Sequence, residues 1–418
     1  MRSIYSLILA ALVSLTVLAG CGGSGNGDLS TSGSGSQTIA PAANNVVTMT
    51  VNGGPLASTA PNFNIPYVSV TVCAHGSTSN CQTIDNIQVD TGSYGLRLIS
   101  SVVSSSLLSG LTQVNASTGS PLVECTQFAD GYSWGSVRTA DVQISGETAA
   151  NVPIQLIGDS GFTNIPGACS SGLTQEDTVE TFGANGILGV GPFVQDCSTA
   201  CVDSTTYPYY WSCPTGGGTC SQVQVTLAQE VSNPVYYFTT DNNGVIVELP
   251  SIADAGAASA TGSLVFGIGT ESNNALSSGT KVLTTDDSGY ITITFNGTAY
   301  TESYIDSGSN LLYFVDNSLT QCTLGSGSNA ESFFCPSSEQ SLSATNQGQN
   351  GATSTVNFQV ANAQTQLNTS NTAFDNVAAP NSNSMSFDFG VPFFYGRNIY
   401  VAIASMAAGG TTGPYFAY

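Results

Sequence analysis

One pattern occurs twice in this chain, and it splits the chain into two comparable halves. The stretches Ile87-Gln88-Val89-Asp90-Thr91-Gly92-Ser93 and Ser303-Tyr304-Ile305-Asp306-Ser307-Gly308-Ser309 share it. Each ends a strand-like run on an apolar residue, then an aspartate, a hydroxyl residue, a glycine and a second hydroxyl residue. Each leads into a largely apolar stretch, Leu96-Arg97-Leu98-Ile99 in one case and Leu311-Leu312-Tyr313-Phe314 in the other. The bare Asp-Ser-Gly triplet is a weak signal in a chain with 46 glycines, and it recurs at Asp159-Ser160-Gly161 and Asp287-Ser288-Gly289. Those two copies lack the fourth hydroxyl residue and the apolar residue before the aspartate. Only positions 90 and 306 carry the extended pattern. Gly92 and Gly308 are expected to let the backbone turn tightly under each carboxylate. Thr91, Ser93, Ser307 and Ser309 can orient the carboxylates and satisfy buried donors and acceptors.

Composition fixes the material these halves are made of. Of 418 residues only 8% are charged, with 27 Asp and Glu against 5 Lys and Arg. Long solvent-facing helices need charged surfaces, so this mix favours short strands joined by Gly, Ser and Asn turns. Runs such as Val46-Val47-Thr48-Met49-Thr50-Val51 and Tyr290-Ile291-Thr292-Ile293-Thr294-Phe295 alternate and are rich in β-branched and aromatic residues. Short helices fit only near residues 100–108 and 223–231. The expected class is a large all-β fold with antiparallel strands. A formal charge of −22 argues against nucleic-acid binding, which needs clustered Lys and Arg. The single histidine, His75, makes a His-rich metal site impossible.

The first 20 residues read as a signal peptide: Arg2, then an apolar run from Leu7, then small residues. Leu18-Ala19-Gly20-Cys21 resembles the bacterial lipobox, which implies acylation of Cys21, and Gly22 after it favours an outer-membrane destination. Residues 21–45 read as a lipidated cysteine followed by a flexible Gly/Ser-rich tether. Of the 11 cysteines, ten remain for the exported domain, an even number that reads as disulfides. Cys73–Cys81 and Cys322–Cys335 are expected local bridges; the pairing of the other six stays open. Cys197, Cys201, Cys213 and Cys220 have the alternative of a four-thiolate zinc site, at irregular spacing.

With both aspartate patterns in view, the chain resembles the pepsin-like aspartic peptidases over most of residues 65–405. Further landmarks follow in order. Gly131-Tyr132-Ser133-Trp134-Gly135-Ser136 is similar to the family's flap hairpin, which implies a flap formed by Tyr132, Trp134 and Gly135, with the tyrosine over the cleft. Asp141-Val142-Gln143-Ile144-Ser145-Gly146 is similar to the strand after the flap. Asn185-Gly186-Ile187-Leu188-Gly189 and the segment around Phe389-Gly390 are similar to the two closing segments. Gly262-Ser263-Leu264-Val265-Phe266-Gly267 is similar to the start of the second lobe. The resemblance implies a bilobal double β-barrel with a central cleft, lobes at 46–250 and 251–418, and an Asp90–Asp306 catalytic dyad. The chain also resembles an uncharacterised family of bacterial lipoproteins.

The chemistry can be stated from the residues. Hydrolysis of a peptide bond without metal or nucleophilic side chain needs a base for water and an acid for the leaving nitrogen. Two carboxyls sharing one proton supply both, because like charges so close cannot both ionise. The expected substrate is polypeptide, with no metal or organic cofactor, no nucleic-acid partner, membrane contact only through the N-terminal lipid, and a monomeric state. Three departures from the family pattern stand out. Arg97 occupies the place of an aromatic residue that supports the flap tyrosine, Asp388 the place of an apolar residue, and residues 196–222 form a cysteine-rich insertion. These leave a second reading, a catalytically inactive binding or inhibitor lipoprotein of the same fold. A trypsin-like reading through His75 and Ser160 leaves the duplication unexplained.

Overall fold

A computed structural model describes residues 37–325 and 330–418. The signal-peptide run, Cys21 and most of the tether lie outside the described residues. The fold is all-β, with short helices only at turns, such as Ser105–Gly110 and Ala363–Leu367.

Three blocks of sheet carry the structure. A six-stranded antiparallel platform runs in the order Val46–Val51, Ala260–Phe266, Gly244–Leu249, Arg397–Ala402, Tyr415–Ala417 and Val282–Thr284. Its strands come from both ends and the middle of the chain, so neither half closes without the other. The first half hangs from the platform by pairing of Val51 with Pro66. It contains Cys81–Asp90, Tyr94–Ile99 and Gly186–Val190, plus the long hairpin Gly131–Ile144 with Glu147–Ile157. The second half contains Ile291–Phe295, Thr298–Ile305, Leu312–Phe314 and Asp388–Phe389, with the Gln340–Gln347 and Thr353–Val360 hairpin at its edge.

Both halves repeat one local topology. Cys81–Asp90 and Tyr94–Ile99 are separated by the first aspartate turn, and Gly186–Val190 inserts between them, parallel to one and antiparallel to the other. Thr298–Ile305 and Leu312–Phe314 flank the second turn, and Asp388–Phe389 inserts in the same way. The inserted strand pins both arms of the turn, so each aspartate leaves a rigid three-strand ladder. Alternation then sorts the side chains: Ile291, Ile293 and Phe295 face inward while Thr292 and Thr294 do not. In the second half the interior is aromatic, with Phe387 stacked on Phe314 at 5.0 Å and packed against Phe389 at 4.6 Å. Each such ring stabilises the fold by roughly 1.5–3 kcal/mol through burial.

Five disulfides are present: Cys73–Cys81, Cys125–Cys169, Cys197–Cys201, Cys213–Cys220 and Cys322–Cys335. The two local bridges read from the sequence are among them. The four cysteines of the 196–222 insertion pair with one another two by two, so the zinc alternative does not hold.

Candidate active site

The two aspartate turns meet between the halves. Thr91 and Ser307, both fully buried, lock them by reciprocal hydrogen bonds. The Thr91 amide donates to Ser307 Oγ at 3.1 Å, and the Ser307 amide donates to Thr91 Oγ1 at 2.9 Å. Each hydroxyl then donates across the divide, Thr91 to the Ile305 carbonyl at 3.1 Å and Ser307 to the Val89 carbonyl at 2.8 Å. Those carbonyls immediately precede the aspartates, so the clasp sets the spacing of the two carboxyls. Removing either hydroxyl orphans buried groups at about 1–3 kcal/mol each. We expect Thr91→Val and Ser307→Ala each to lower the urea midpoint clearly; parent-like midpoints for both would show that the clasp does not hold the halves.

The carboxyls themselves are placed alike. The Gly92 amide donates to Asp90 Oδ1 and the Gly308 amide to Asp306 Oδ1, both at 2.7 Å. The glycines serve a purpose beyond the tight turn read from the sequence. A Cβ on Gly92 would lie 2.7 Å from the Asp306 carboxyl carbon, and one on Gly308 would lie 2.5 Å from Asp90 Oδ1. Each glycine makes room for the opposite aspartate. Burial, and after it the charge of Asp90 and then of Asp388, holds the Asp306 carboxyl well above the usual carboxylate range. Two carboxyls so close share one proton between them. Asp306 is only half-buried, so the pair opens toward solvent.

The outer hydroxyls differ. Ser309 Oγ donates to Asp306 Oδ2 at 3.1 Å, whereas Ser93 Oγ is buried with no partner. Two tyrosines, Tyr94 and Tyr304, stand near the pair. Burial pushes the Tyr94 phenol up, with Asp90 and Tyr290 adding to it, and Tyr304 lies 6.2 Å from Tyr290 ring to ring. Sequence reading did not single out Tyr94; its position just past the first pattern was the available signal.

The flap hairpin, Leu122–Gln127 with Gly131–Ile144, is present, but its aromatic residues point elsewhere than expected. Cross-strand register puts Glu124, Thr126, Ser133 and Gly135 on one face and Cys125, Tyr132 and Trp134 on the other. The Tyr132 ring is buried in a satellite core with Trp134, Phe162 and Trp211, and its hydroxyl reaches Gln175 at 3.3 Å. The insertion explains this. Its strand Tyr210–Ser212 adds to the flap strand, and Trp211 packs on Trp134 at 6.2 Å. A ready apolar partner behind the flap outcompetes the open cleft for both rings. Gly135 has no side chain to block the neighbouring strand at the Leu156 carbonyl.

Arg97 faces the polar side of the flap. It is 1% exposed and every arm is occupied. Nε donates to Thr126 Oγ1 at 2.9 Å, Nη1 to the Tyr94 carbonyl at 2.7 Å, and Nη2 to Glu124 at 2.6 Å and Asp196 at 2.9 Å. Tyr210 closes the group by donating to Asp196 Oδ1 at 2.6 Å. Burial, then Glu124, raises the Asp196 carboxyl above its usual range, while Arg97 and the Tyr210 hydroxyl work the other way. One side chain thus joins the strand after the first aspartate, the flap and the insertion.

His75 pairs with Asp141 at 2.7 Å on the surface, and the Asp159 turn is held by Arg138 at 3.2 Å and by the Ser136 hydroxyl. Nothing brings Ser160 to His75. Among the described residues no cluster of His, Cys, Asp and Glu is arranged to hold a metal.

Raised carboxyls recur through the molecule, mainly by burial. Glu176 is pushed up to about 8, Glu230 and Glu248 to about 7, and Asp375 to about 6. A carboxyl raised in the folded state binds more protons there than in the unfolded chain. Stability therefore falls as pH rises from the unfolded value of roughly 4 through each folded value. Asp141 works in the opposite sense: burial opposes its charge, but His75 and the Gly76 and Asn151 amides lower it, so its contribution is lost in acid. We expect Tm to be higher by several degrees at pH 5 than at pH 8; a flat or rising profile over that interval would sink this account.

The fold and the paired turns define a two-lobed β-architecture with one aspartate from each lobe at its centre. The chain belongs to the family described as Protein of unknown function (DUF3443), whose model matches residues 41–418. No curated protein sequence matches it. Among solved structures, it is similar to the crystal structure of the aspartic proteinase from Irpex lacteus, at 18% identity and a TM-score of 0.45. The match covers 89% of this chain and 96% of that one.

Proposed function

We propose that this chain is an aspartic endopeptidase of the bacterial cell envelope. The observation that carries the reading is the clasped Asp90–Asp306 pair, with each carboxyl given room by the opposite glycine. In this reaction Asp90 takes a proton from a water as its oxygen bonds to the scissile carbonyl carbon. The Asp306 proton goes to the carbonyl oxygen, and collapse of the diol passes a proton to the leaving nitrogen. Substrate binds extended across the cleft, and the enzyme acts as a monomer. The residue 1–21 pattern and the five disulfides support export, lipidation at Cys21 and residence on the outer membrane.

One observation favours the inactive binding module instead. Tyr132, which the resemblance places over the cleft, is committed to the satellite core behind the flap. Cleavage assays decide between the two. Disulfide-bonded protein from residue 22 onward is incubated with unfolded proteins from about pH 3 to 7, bracketing a carboxyl pair, and new peptide ends are read by mass spectrometry. Cleavage by the parent but by neither aspartate variant supports the peptidase. Folded parent with no aspartate-dependent cleavage moves the reading to a binding module.

A further inference from the structure

The two lobes repeat the same ladder, so their residues can be matched one to one. In the first, Ile187 lies between Gln88 and Arg97. In the second, Asp388 lies between Tyr304 and Tyr313. A carboxyl thus stands where the other lobe places an isoleucine, two residues before the glycine that lies beside the dyad strand. It is 3% exposed, and its Oδ1 is buried without any hydrogen-bond partner. A buried, unpartnered carboxyl costs free energy, and nothing in the packing of this strand demands it, because Ile187 fills the matching site.

Its surroundings connect it to the catalytic pair. The Ser309 hydroxyl that donates to Asp306 also acts on Asp388, favouring its charged form. The titratable groups facing Asp388 are Asp306 and Asp90 from the two turns, and Tyr304 and Tyr313 from the flanking strands. Three arginines look elsewhere: Arg97 to Glu124 and Asp196, Arg138 to Asp159, and Arg397 over the Phe393 ring.

We infer that Asp388 is a third acidic member of this site, a positioning residue that keeps a proton on the Asp90–Asp306 pair at pH values where two carboxyls alone would lose it. The inference rests on the peptidase reading for its consequence, but not for its physics. As pH rises, three neighbouring carboxyls release their protons in coupled steps. Charge appearing on Asp388 opposes loss of the last proton from Asp306. The active, singly protonated dyad then persists toward neutral pH. Burial, partly offset by Ser309, holds the Asp388 carboxyl well above its usual range.

The test compares the full chain with Asp388→Asn and Asp388→Ile, the latter copying the first lobe. We expect the alkaline limb of Asp90-dependent cleavage to move down by about one pH unit in both, the size of a close like-charge effect. Folded variants that keep the parent's limb would overturn the inference. The physics is read separately in the Asp90→Asn background by NMR of 13C-labelled aspartate. There the Asp306 titration midpoint should fall when Asp388 becomes Asn. An unchanged midpoint overturns the inference whether or not the parent cleaves. A parent that never cleaves, with the midpoint shift present, removes the peptidase reading alone and leaves the coupled carboxyls standing.

Discussion

Asp90→Asn and Asp306→Asn should each abolish peptide-bond cleavage, by at least about a thousandfold, while leaving the protein folded. The scale follows from losing acid–base participation at the reacting atoms. The two halves of this expectation come from different parts of the site. The clasp that aligns the turns uses Thr91, Ser307 and main-chain groups, none of which the substitutions touch. Asn retains an oxygen that can accept from the Gly92 or Gly308 amide. Asp306 moreover carries a carboxyl whose folded-state pKa is raised, so its ionisation opposes folding at neutral pH. Asp306→Asn should then melt at the same temperature as the parent or higher at pH 7. Activity measured from pH 3 to 7 beside thermal unfolding checks both halves. Substantial cleavage by either folded variant would remove the dyad from the chemistry.

Replacing Arg97 should do the reverse, damaging the fold first. Arg97→Met removes the only cation among Glu124, Asp196 and Tyr210, all of them buried. Burial works against the Arg97 charge, but Glu124 and Asp196 more than offset it. Breaking such a group by removing one partner costs about 3–5 kcal/mol. The loss is local to the flap, because the cluster ties Tyr94–Ile99, Leu122–Gln127 and the insertion together. We expect unfolding at lower urea, and early protease nicking in residues 196–222. Adding Glu124→Gln and Asp196→Asn to Arg97→Met should recover most of the loss, since no charge is then stranded. A single variant as stable as the parent would mean that the ion cluster contributes nothing net.

Much of this site was readable before any coordinates. The doubled pattern pointed to Asp90 and Asp306 because its signal is a short string with fixed order, and the structure brings the two together. The all-β class was equally legible, since alternation in runs such as Ile291–Phe295 survives directly as inward and outward faces. Side-chain direction was not. Whether Tyr132 faces the cleft or the satellite core depends on what lies behind the flap, and that is set by Trp211 and the disulfide-stapled insertion, some 80 residues further along. The second role of the paired glycines was not legible for a related reason: a turn is local, whereas the opposing carboxyl comes from the other half. Asp388 was visible only as an oddity. Its meaning needed the register of both ladders, which places it opposite the position of Ile187.

The platform has a consequence for how the molecule comes into being. Val46–Val51 is made early, yet its long antiparallel partner is Ala260–Phe266. The far side of the same sheet is completed by Tyr415–Ala417, which pairs with both Arg397–Ala402 and Val282–Thr284. A chain made from its beginning therefore holds Val46–Val51 with only its strand pairing to Pro66 and Tyr67 until more than half of the sequence exists, and an unfinished sheet until Tyr415–Ala417 is made. Pairings so distant along the chain are slow to find. Meanwhile, exposed strand edges invite pairing with other chains. Completion of the platform is thus a late event, although the strands of the first half between Pro66 and Val190 pair with one another.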